Sequence, residues 1–556
     1  MASNRTGKLT FLSRAWGALG VLVLLGAYLA SVAWVAILSV EEVEDVRSNT
    51  TVIRLAHSIA DRRVQAAFEE MADEYEALNP GVRVDIQAIP RRAYQQWVTT
   101  QCLGKTVPDI VQAESKWDLW SSLAARYMVP LSSRVNQPNP YNDGGELQGV
   151  PWRLTYLDGM QGGYWQHMTE YFSVPITTET VRIYYNKDLF LEAIGSNAPP
   201  QDLTDWFNIC DRLNELAEAQ GRKLSPIAGS RDVMYRIVMD RYYRAICNGM
   251  ADKYDACYWG SNRYEQTLYG RYTGTWTFDD PRVRDAFETI KQIAGYCQPG
   301  FAGSDNAQAR FLFLQAKAAM IMGSARDAAI YMAMADFEIG VFDFPMPSPD
   351  HPVLGKYNAR PPAETGGDAI HFCVSRQSAH TDEALDLLMF MSSQTVNERF
   401  NEAVAWYPAI RGARSRPELR AFEPNIGGVS GRVQAYTISP GVDLWFQQQL
   451  PRYLDGQISF EEISAGLDRM WLEKGPDDFA RRDQIYAGIL TQAEYNIANA
   501  KSKMLFAEAG ELKSGELIGH RTAYQLAIEV NELLRFGISS RAYTWHHLQK
   551  GEYTFP

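Results

Sequence analysis

The sequence predicts an α/β protein, because segments with strand and helix patterns alternate in the first part of the chain. Residues 52–55 and 82–88 have the apolar patterns of strands, and residues 62–78 between them place apolar side chains on one helical face. A second helix over 94–103 and a strand over 109–111 continue this order. Short connections in a β-α-β-α-β order predict a parallel, doubly wound sheet.

A sheet of this kind also predicts where a ligand binds. Ligands of doubly wound sheets lie beyond the carboxyl ends of the strands. In this chain residues 57–62 and 112–117 follow two of those ends. Both loops are therefore candidates for ligand contact.

Composition and charge limit the classes of function. The chain has 556 residues, enough for two or three domains, and its net charge of −12 argues against a nucleic-acid partner. It contains no P-loop, no H-E-x-x-H, no G-x-S-x-G and no paired C-x-x-C motif. We therefore expect a protein that is not an enzyme, and no cofactor is implied.

The N-terminal part predicts a membrane anchor. Residues 16–40 are 25 consecutive residues without a charge, which is long enough to span a bilayer. Basic residues precede this stretch and acidic residues follow it, so residues 1–15 are expected in the cytoplasm and the bulk of the chain outside. A cleaved signal peptide, with 31–33 as the cleavage site, is the alternative. We favour the anchor because apolar residues continue beyond that site.

Residues 174–190 carry a clear local pattern. Apolar side chains at every second position over 181–185 predict a strand. Thr177, Thr178 and Glu179 come directly before it. A carboxylate with two hydroxyls can hydrogen-bond a polyol, and a solvated loop is the alternative.

The same stretch is one of six segments that together resemble a known family. The segments are FEEMADEYEALNPGVRVDIQ (68–87), VPDIVQA (107–113), VPITTETVRIYYNKDLF (174–190), AKAAMIMG (316–323), FEIGVFDFPMP (337–347) and GGDAIHFCVS (366–375). In this order they resemble family-1 extracellular solute-binding proteins, the maltose-binding-protein-like receptors of ABC sugar importers. The resemblance covers roughly residues 51–485.

This resemblance implies a two-lobe periplasmic-binding-protein fold of type II, with chain crossings between the lobes near 175, 343 and 393. Lobe one is then expected at 51–175 and 343–393, lobe two at 176–342 and 394–485, and a helical extension at 486–556. The extension is expected either to pack on lobe two or to form a hairpin that binds a partner.

The resemblance also implies ligand contacts. Sugar sites combine aromatic faces with planar polar groups that hydrogen-bond hydroxyls. Glu179 matches a ligand-contacting carboxylate of the family, and Thr178 lies beside it. The other expected contacts are His57, Asp61, Arg62, Glu114, Lys116, Trp117, Arg231, Asp232 and Trp445, the last with an alignment uncertainty of a residue or two. For each loop position a solvated surface role is the alternative.

One departure from the family concerns the segment after Gly323. Relatives often carry a stacking Trp two residues after the matching glycine, whereas here the sequence continues Ser-Ala-Arg326. We include Arg326 among the expected ligand residues, because a guanidinium in place of a ring indicates a ligand other than maltodextrin. An acidic sugar is one candidate if Arg153 and Arg182 also lie near, although Arg182 could equally face outward from its strand.

Two further features each allow two interpretations. Residues 138–167, rich in Gly, Pro and aromatic residues, are either a lid over the cleft or a surface segment packed by its own rings. Cys247 and Cys257 are the expected disulfide pair of an exported chain, whereas buried free thiols are the default for other cysteines.

The expected function is therefore a membrane-anchored receptor outside the cytoplasm. It would bind a small-molecule carbohydrate and pass it to ABC permease subunits of the inner membrane, as the resemblance implies. A ligand sensor or scaffold that signals through its C-terminal helices is the alternative, and a carbohydrate-processing enzyme is third.

Overall fold

The computed structural model describes residues 50–556 except 114–118, 166, 167, 169, 255–266, 268, 269, 272, 273, 366–369, 430–435, 437–439, 511–513 and 551–556. The strands are β1 (Thr51–His57), β2 (Val82–Ala88), β3 (Ile110–Ala113), β4 (Tyr164–Trp165), β5 (Glu170–Tyr171), β6 (Val174–Pro175), β7 (Thr177–Thr178), β8 (Val181–Asn186), β9 (Ser225–Ala228), β10 (Ala318–Ser324), β11 (Ile339–Phe342), β12 (His371–Val374) and β13 (Tyr407–Pro408).

Helices connect these strands and cover both faces of the sheets. They are α1 (Arg62–Leu78), α2 (Arg91–Gly104), α3 (Leu119–Tyr127), α4 (Ser132–Val135), α5 (Lys187–Ile194), α6 (Leu203–Gln220), α7 (Arg231–Val233), α8 (Met239–Cys247), α9 (Ala251–Tyr254), α10 (Pro281–Gly295), α11 (Asn306–Leu314), α12 (Ala328–Met334), α13 (Thr381–Met391), α14 (Gln394–Val404), α15 (Pro440–Leu454), α16 (Phe460–Ala509) and α17 (Ser514–Lys550). A π-helical turn, Met234–Val238, joins α7 to α8.

The first sheet is the centre of lobe one, and its strand order is β2-β1-β3-β12-β6. β1 runs parallel to β2 and β3, as the sequence pattern predicts. β12 is antiparallel to β3, and β6 is antiparallel to β12. The sheet is therefore mixed rather than parallel throughout, because strands from later in the chain complete it.

The second sheet is the centre of lobe two, with the order β11-β8-β10-β9. β8 is the strand predicted at 181–185, and it pairs antiparallel with both β10 and β11. β9 is parallel to β10. The stretch between β6 and β8 thus leads directly from the first sheet to the second.

Aromatic side chains close the core of lobe one. Phe68 of α1 stacks on Phe400 of α14 with 5.1 Å between ring centroids, and meets Phe372 of β12 edge-on at 5.8 Å. The same core contains Val396 and Ile410. These residues lie beyond 393, where the sequence places the return to lobe two.

The aromatic-rich segment 138–165 also packs into lobe one. Trp152, Tyr156 and Trp165 are at most 1% exposed. The indole of Trp152 donates to the hydroxyl of Ser392 at 2.9 Å. Of the two interpretations of this segment, the structure supports packing by its own rings and not a lid.

The C-terminal extension is a helical hairpin. α16 runs for 50 residues, begins at a capping box made by Ser459 and Glu462, and continues through 485 without interruption. Its first turns are buried in the core of lobe two. Ile489 and Ala493, further along, join a cluster of lobe one that contains Trp120.

No helix in the described part of the chain is long and apolar enough to cross a membrane. The uncharged stretch 16–40 lies outside the described residues, so its role as an anchor stays a prediction. Cys247 is a buried free thiol in lobe two, which contradicts its predicted disulfide with Cys257; Cys257 itself lies outside the described residues. Cys102, Cys210, Cys297 and Cys373 are buried free thiols.

Candidate ligand-binding site

A carboxylate and a guanidinium meet where the chain passes between the two sheets. Glu179 follows β7, which pairs with β13 so that Thr178 lies opposite Tyr407. Arg326 sits in the turn after β10. Its Nε donates to Oε1 of Glu179 at 2.7 Å and its Nη2 donates to Oε2, which makes the pair bidentate.

The two partners differ in exposure. The side chain of Glu179 is 10% exposed and that of Arg326 is 40% exposed. The carboxylate partner is therefore nearly buried, whereas much of the arginine side chain is accessible to solvent. Two residues that the sequence placed in separate segments, 147 positions apart, form one polar group.

An indole completes this cluster. The guanidinium carbon of Arg326 lies 5.8 Å from the centroid of the Trp406 ring, within the range of a cation–π contact. Trp406 belongs to the core of lobe one and is 5% exposed. The sequence lacks the family's ring after Gly323, and no local pattern links Arg326 to Trp406, which lies 80 positions further along the chain.

A groove in lobe two contains two more of the expected ligand residues. Its volume is about 400 Å³. One side carries Arg231 and Asp232, and the other side is α15. The full lining is Arg231, Asp232, Met234, Tyr235, Arg236, Phe301, Ala302, Leu444, Gln447, Gln448, Leu450, Pro451 and Leu454. We call this the α15 groove.

The π-helical turn shapes one wall of the α15 groove. It carries Met234, Tyr235 and Arg236, and π-turns inside α-helices occur frequently at functional sites. Asp232 accepts from Nε of Arg236 at 2.8 Å. The hydroxyl of Tyr235 is buried without a hydrogen-bond partner among the described residues. The wall thus combines planar polar groups with an aromatic ring.

Trp445 does not line the groove. Its ring packs against Gly466 of α16, where a Cβ would lie 2.3 Å from the indole. The preceding residue, Leu444, lines the groove instead and is 61% exposed. A shift of one residue in the alignment therefore decides whether the matched side chain lines the α15 groove.

The three expected residues at the junction of β1 and α1 have different surroundings. His57 is fully buried, and burial lowers the pKa of its imidazole to about 4, so the ring is neutral near pH 7. Asp61 caps α1 by accepting from the backbone N–H of Arg63. The side-chain hydrogen bond from Arg63 lowers the pKa of Asp61. Arg62 is exposed on the first turn of α1.

For these residues the ligand role stays a prediction. Glu114, Lys116 and Trp117 lie outside the described residues. Within the described part of the chain, no group of His, Cys, Asp or Glu side chains is arranged to hold a metal ion.

Arg182 belongs to a buried network of ion pairs. It is 2% exposed, donates from both terminal nitrogens to Glu364 at 2.8 and 2.9 Å, and lies 3.5 Å from Asp343. Arg241 also donates to Glu364. Burial raises the pKa of Glu364, but the hydrogen bond from Arg182 and the charges of Arg241 and Arg182 outweigh it and hold that pKa at about 2.

The other arginine considered for an acidic ligand, Arg153, donates to Asn136 at 2.7 Å. Both Arg153 and Arg182 therefore already have partners within the chain. Their positions add no support for an acidic sugar.

The sequence matches a known protein family. The sequence profile described as "Bacterial extracellular solute-binding protein" matches residues 60–398, more than half of the chain. This match confirms the resemblance inferred from the six segments. As expected, the family is one of binding proteins and not of enzymes.

Curated relatives match more distantly. Proteins described as binding proteins in Brucella abortus (strain 2308) and Brucella suis biovar 1 (strain 1330) are 24% identical over 258 residues, which is 46% of this chain. The chain spans about half the length (53%) of these relatives.

Solved structures share the fold over most of the chain. The sugar-binding protein MalE from Xanthomonas citri is 15% identical, with a TM-score of 0.54 over 79% of this chain and 99% of that one. Apo RafE from Streptococcus pneumoniae is 16% identical, with a TM-score of 0.54 over 76% and 98%. The GacH receptor of Streptomyces glaucescens, studied unliganded and with acarbose, is 17% identical with a TM-score of 0.52 over 77% and 99%. The two-lobe α/β fold is thereby confirmed.

Proposed function

Because the chain belongs to the bacterial extracellular solute-binding proteins, we propose that it is an extracytoplasmic receptor for a carbohydrate. It passes the ligand to the permease subunits of an ABC importer in the inner membrane. The stretch 16–40 anchors it there, with the bulk of the chain on the outer side. Two proteins with the same fold, a sugar-binding protein and a receptor studied with acarbose, support the choice of a carbohydrate.

The α15 groove is the observation that carries this proposal. A groove of about 400 Å³ lies within the range of small-molecule sites. Its walls offer the two kinds of group that a sugar needs, which are rings (Tyr235 and Phe301) and planar polar side chains (Arg231, Asp232 and Gln448). The Glu179–Arg326 pair supplies further groups of the same kind where the chain passes between the lobes.

Replacing Arg231 by glutamine is expected to weaken ligand binding about tenfold or more. Hydrogen bonds to charged groups contribute about 1.5–3 kcal/mol, and about 1.4 kcal/mol corresponds to one decade of affinity. A thermal-shift screen against a panel of mono- and oligosaccharides, followed by calorimetric titration with those that stabilise the protein, measures this.

The matched control is Arg212→Gln, an exposed arginine on α6 paired with Glu215. It should bind the same sugars as the unaltered protein. Equal affinities of both variants would remove Arg231 from the site. A panel in which no sugar stabilises the protein would argue against the carbohydrate itself.

Membrane attachment is tested separately. The uncharged stretch 16–40 should keep the intact chain in the membrane fraction after carbonate extraction, because about 20 apolar residues suffice to span a bilayer. Intact-mass measurement checks that the N-terminus is retained. A soluble product beginning near residue 34 would instead establish a cleaved signal peptide.

A second candidate function is a ligand sensor that signals through its C-terminal helices. The seating of α16 in both lobes favours it, because a helix that contacts both lobes can transmit their relative movement to α17. A permease partner captured by crosslinking would favour the importer. A partner bound only through α17 would favour the sensor.

A further inference from the structure

α16 is firmly seated in lobe two at its N-terminal end. Ile463, Leu467 and Trp471 are fully buried in the core of that lobe. The ring of Trp471 meets Trp276 edge-on at 5.9 Å. Asp468, on the same helix, accepts from Arg271 at 2.5 Å. This end of the helix therefore moves with lobe two.

The same helix packs against lobe one in its C-terminal half. Ile489 and Ala493 are 4% and 6% exposed, and they pack in a cluster with Trp120 of α3. Asn496 accepts from Nη1 of Arg376 at 2.7 Å. Arg376 follows β12, and burial lowers its pKa to about 10. This part of the helix therefore moves with lobe one.

Between its contacts with lobe two and its contacts with lobe one, most of the described side chains of the helix are exposed. The intervening residues, 472–488, cover about 25 Å at about 1.5 Å per residue. Most of the described side chains in this span are exposed, including Glu473, Asp477 and Gln484. Lys474 and Asp478 still lie against Gly441 of α15, and beyond them the helix continues unbroken to its contacts with lobe one.

A glycine and a proline lie next to each other within this continuous helix. Gly475 and Pro476 lie within the helix, four and five residues beyond Trp471. Proline has no N–H to donate to the carbonyl four residues earlier, and its ring crowds that carbonyl. Sharp bends in helices occur almost always at such positions.

We infer that α16 is a strap between the lobes, with Gly475–Pro476 as its pivot. Closure of a two-lobe binding protein rotates one lobe against the other about a hinge. A helix that is packed against both lobes must bend during this rotation or lose its contacts with one of them. The flexibility of the pivot therefore sets the range of lobe separation in this protein. The strap acts in the unliganded chain as well, whichever ligand the protein binds.

The distance distribution between the lobes tests the strap. Spin labels at the exposed positions Gln95 of α2 and Glu218 of α6 report it by pulsed electron paramagnetic resonance. They are introduced through non-natural amino acids in the full-length chain, so that the native cysteines stay intact. Pro476→Ala keeps both seats and restores a helical N–H, and we expect a narrower distribution.

Ala493→Glu places a charge in the seat on lobe one, and we expect a broader distribution shifted to longer distances. Ala498→Glu makes the same chemical change on an exposed position of the same helix and should leave the distribution unchanged. An unchanged distribution in Pro476→Ala would overturn the strap, whether or not Ala493→Glu folds. Equal broadening by Ala493→Glu and Ala498→Glu would overturn it as well.

Discussion

Glu364→Gln is expected to lower the free energy of unfolding by about 3–5 kcal/mol, the loss typical when one partner of a buried ion pair is removed. The side chain of Glu364 is 7% exposed, and its partners Arg182 and Arg241 are 2% and 12% exposed. With the carboxylate neutralised, Arg182 keeps only the partly exposed Asp343 as an anionic partner, 3.5 Å away, and Arg241 loses the charge of the carboxylate that it contacts. Urea denaturation followed by circular dichroism measures the change.

The exposed pair of Lys187 and Glu338 provides the control. Glu338 is 68% exposed, so Glu338→Gln should change the free energy of unfolding by at most about 1 kcal/mol. Similar small losses in both variants would mean that the network around Glu364 is accessible to water.

The pH dependence of stability follows from the same carboxylate. Its pKa is about 2 in the folded chain against an ordinary 4.5. A lowered pKa stabilises the folded state above the ordinary value, and this contribution is lost as the pH falls from about 4.5 towards 2. In Glu364→Gln this part of the acid-induced loss should be absent.

The sequence predicts those parts of the fold that local patterns encode. β8 was predicted because residues two apart along it face the same side. The pairing of β12 with β3 was not, since it joins segments more than 250 residues apart. The full extent of α16 was also missed. Its apolar positions face lobe two at one end and lobe one at the other, so no single stripe runs along it.

In the candidate site, local sequence patterns also fail to predict which way individual side chains face. Along a helix one residue corresponds to a rotation of about 100°, and so Leu444 faces the groove while Trp445 packs on Gly466. Arg182 could have faced either side of its strand. Its buried partner, Glu364, is 182 residues away and no local pattern identifies it.

The surroundings of Glu179 also differ from what a loop position suggests. The sequence left open a solvated loop, whereas the carboxylate is 10% exposed and held by Arg326. A single substitution therefore removes both a possible ligand contact and an internal ion pair. Separating these two effects needs more than one variant.

Glu179→Gln is expected to reduce affinity for the sugar identified in the screen by about tenfold or more, because charge-assisted hydrogen bonds contribute about 1.5–3 kcal/mol. It should also destabilise the unliganded chain, since Arg326 loses its charged partner. Calorimetric titration and thermal unfolding of the same preparations measure both quantities. Glu398→Gln is the matched control: Glu398 is 18% exposed and accepts from Nε of Arg414 at 2.8 Å. It should leave the affinity unchanged.

The double variant Glu179→Gln/Arg326→Gln distinguishes a ligand residue from a structural one. Two amides can hydrogen-bond each other without an unpaired charge, so the double variant should recover part of the unfolding free energy that Glu179→Gln loses. Its affinity should stay as low as that of the single variant or fall further, because both of the proposed ligand groups are changed. If affinity recovers together with stability, the pair only holds the chain crossing in place. If neither quantity changes in any variant, Glu179 and Arg326 belong to the protein surface and the α15 groove alone binds the ligand.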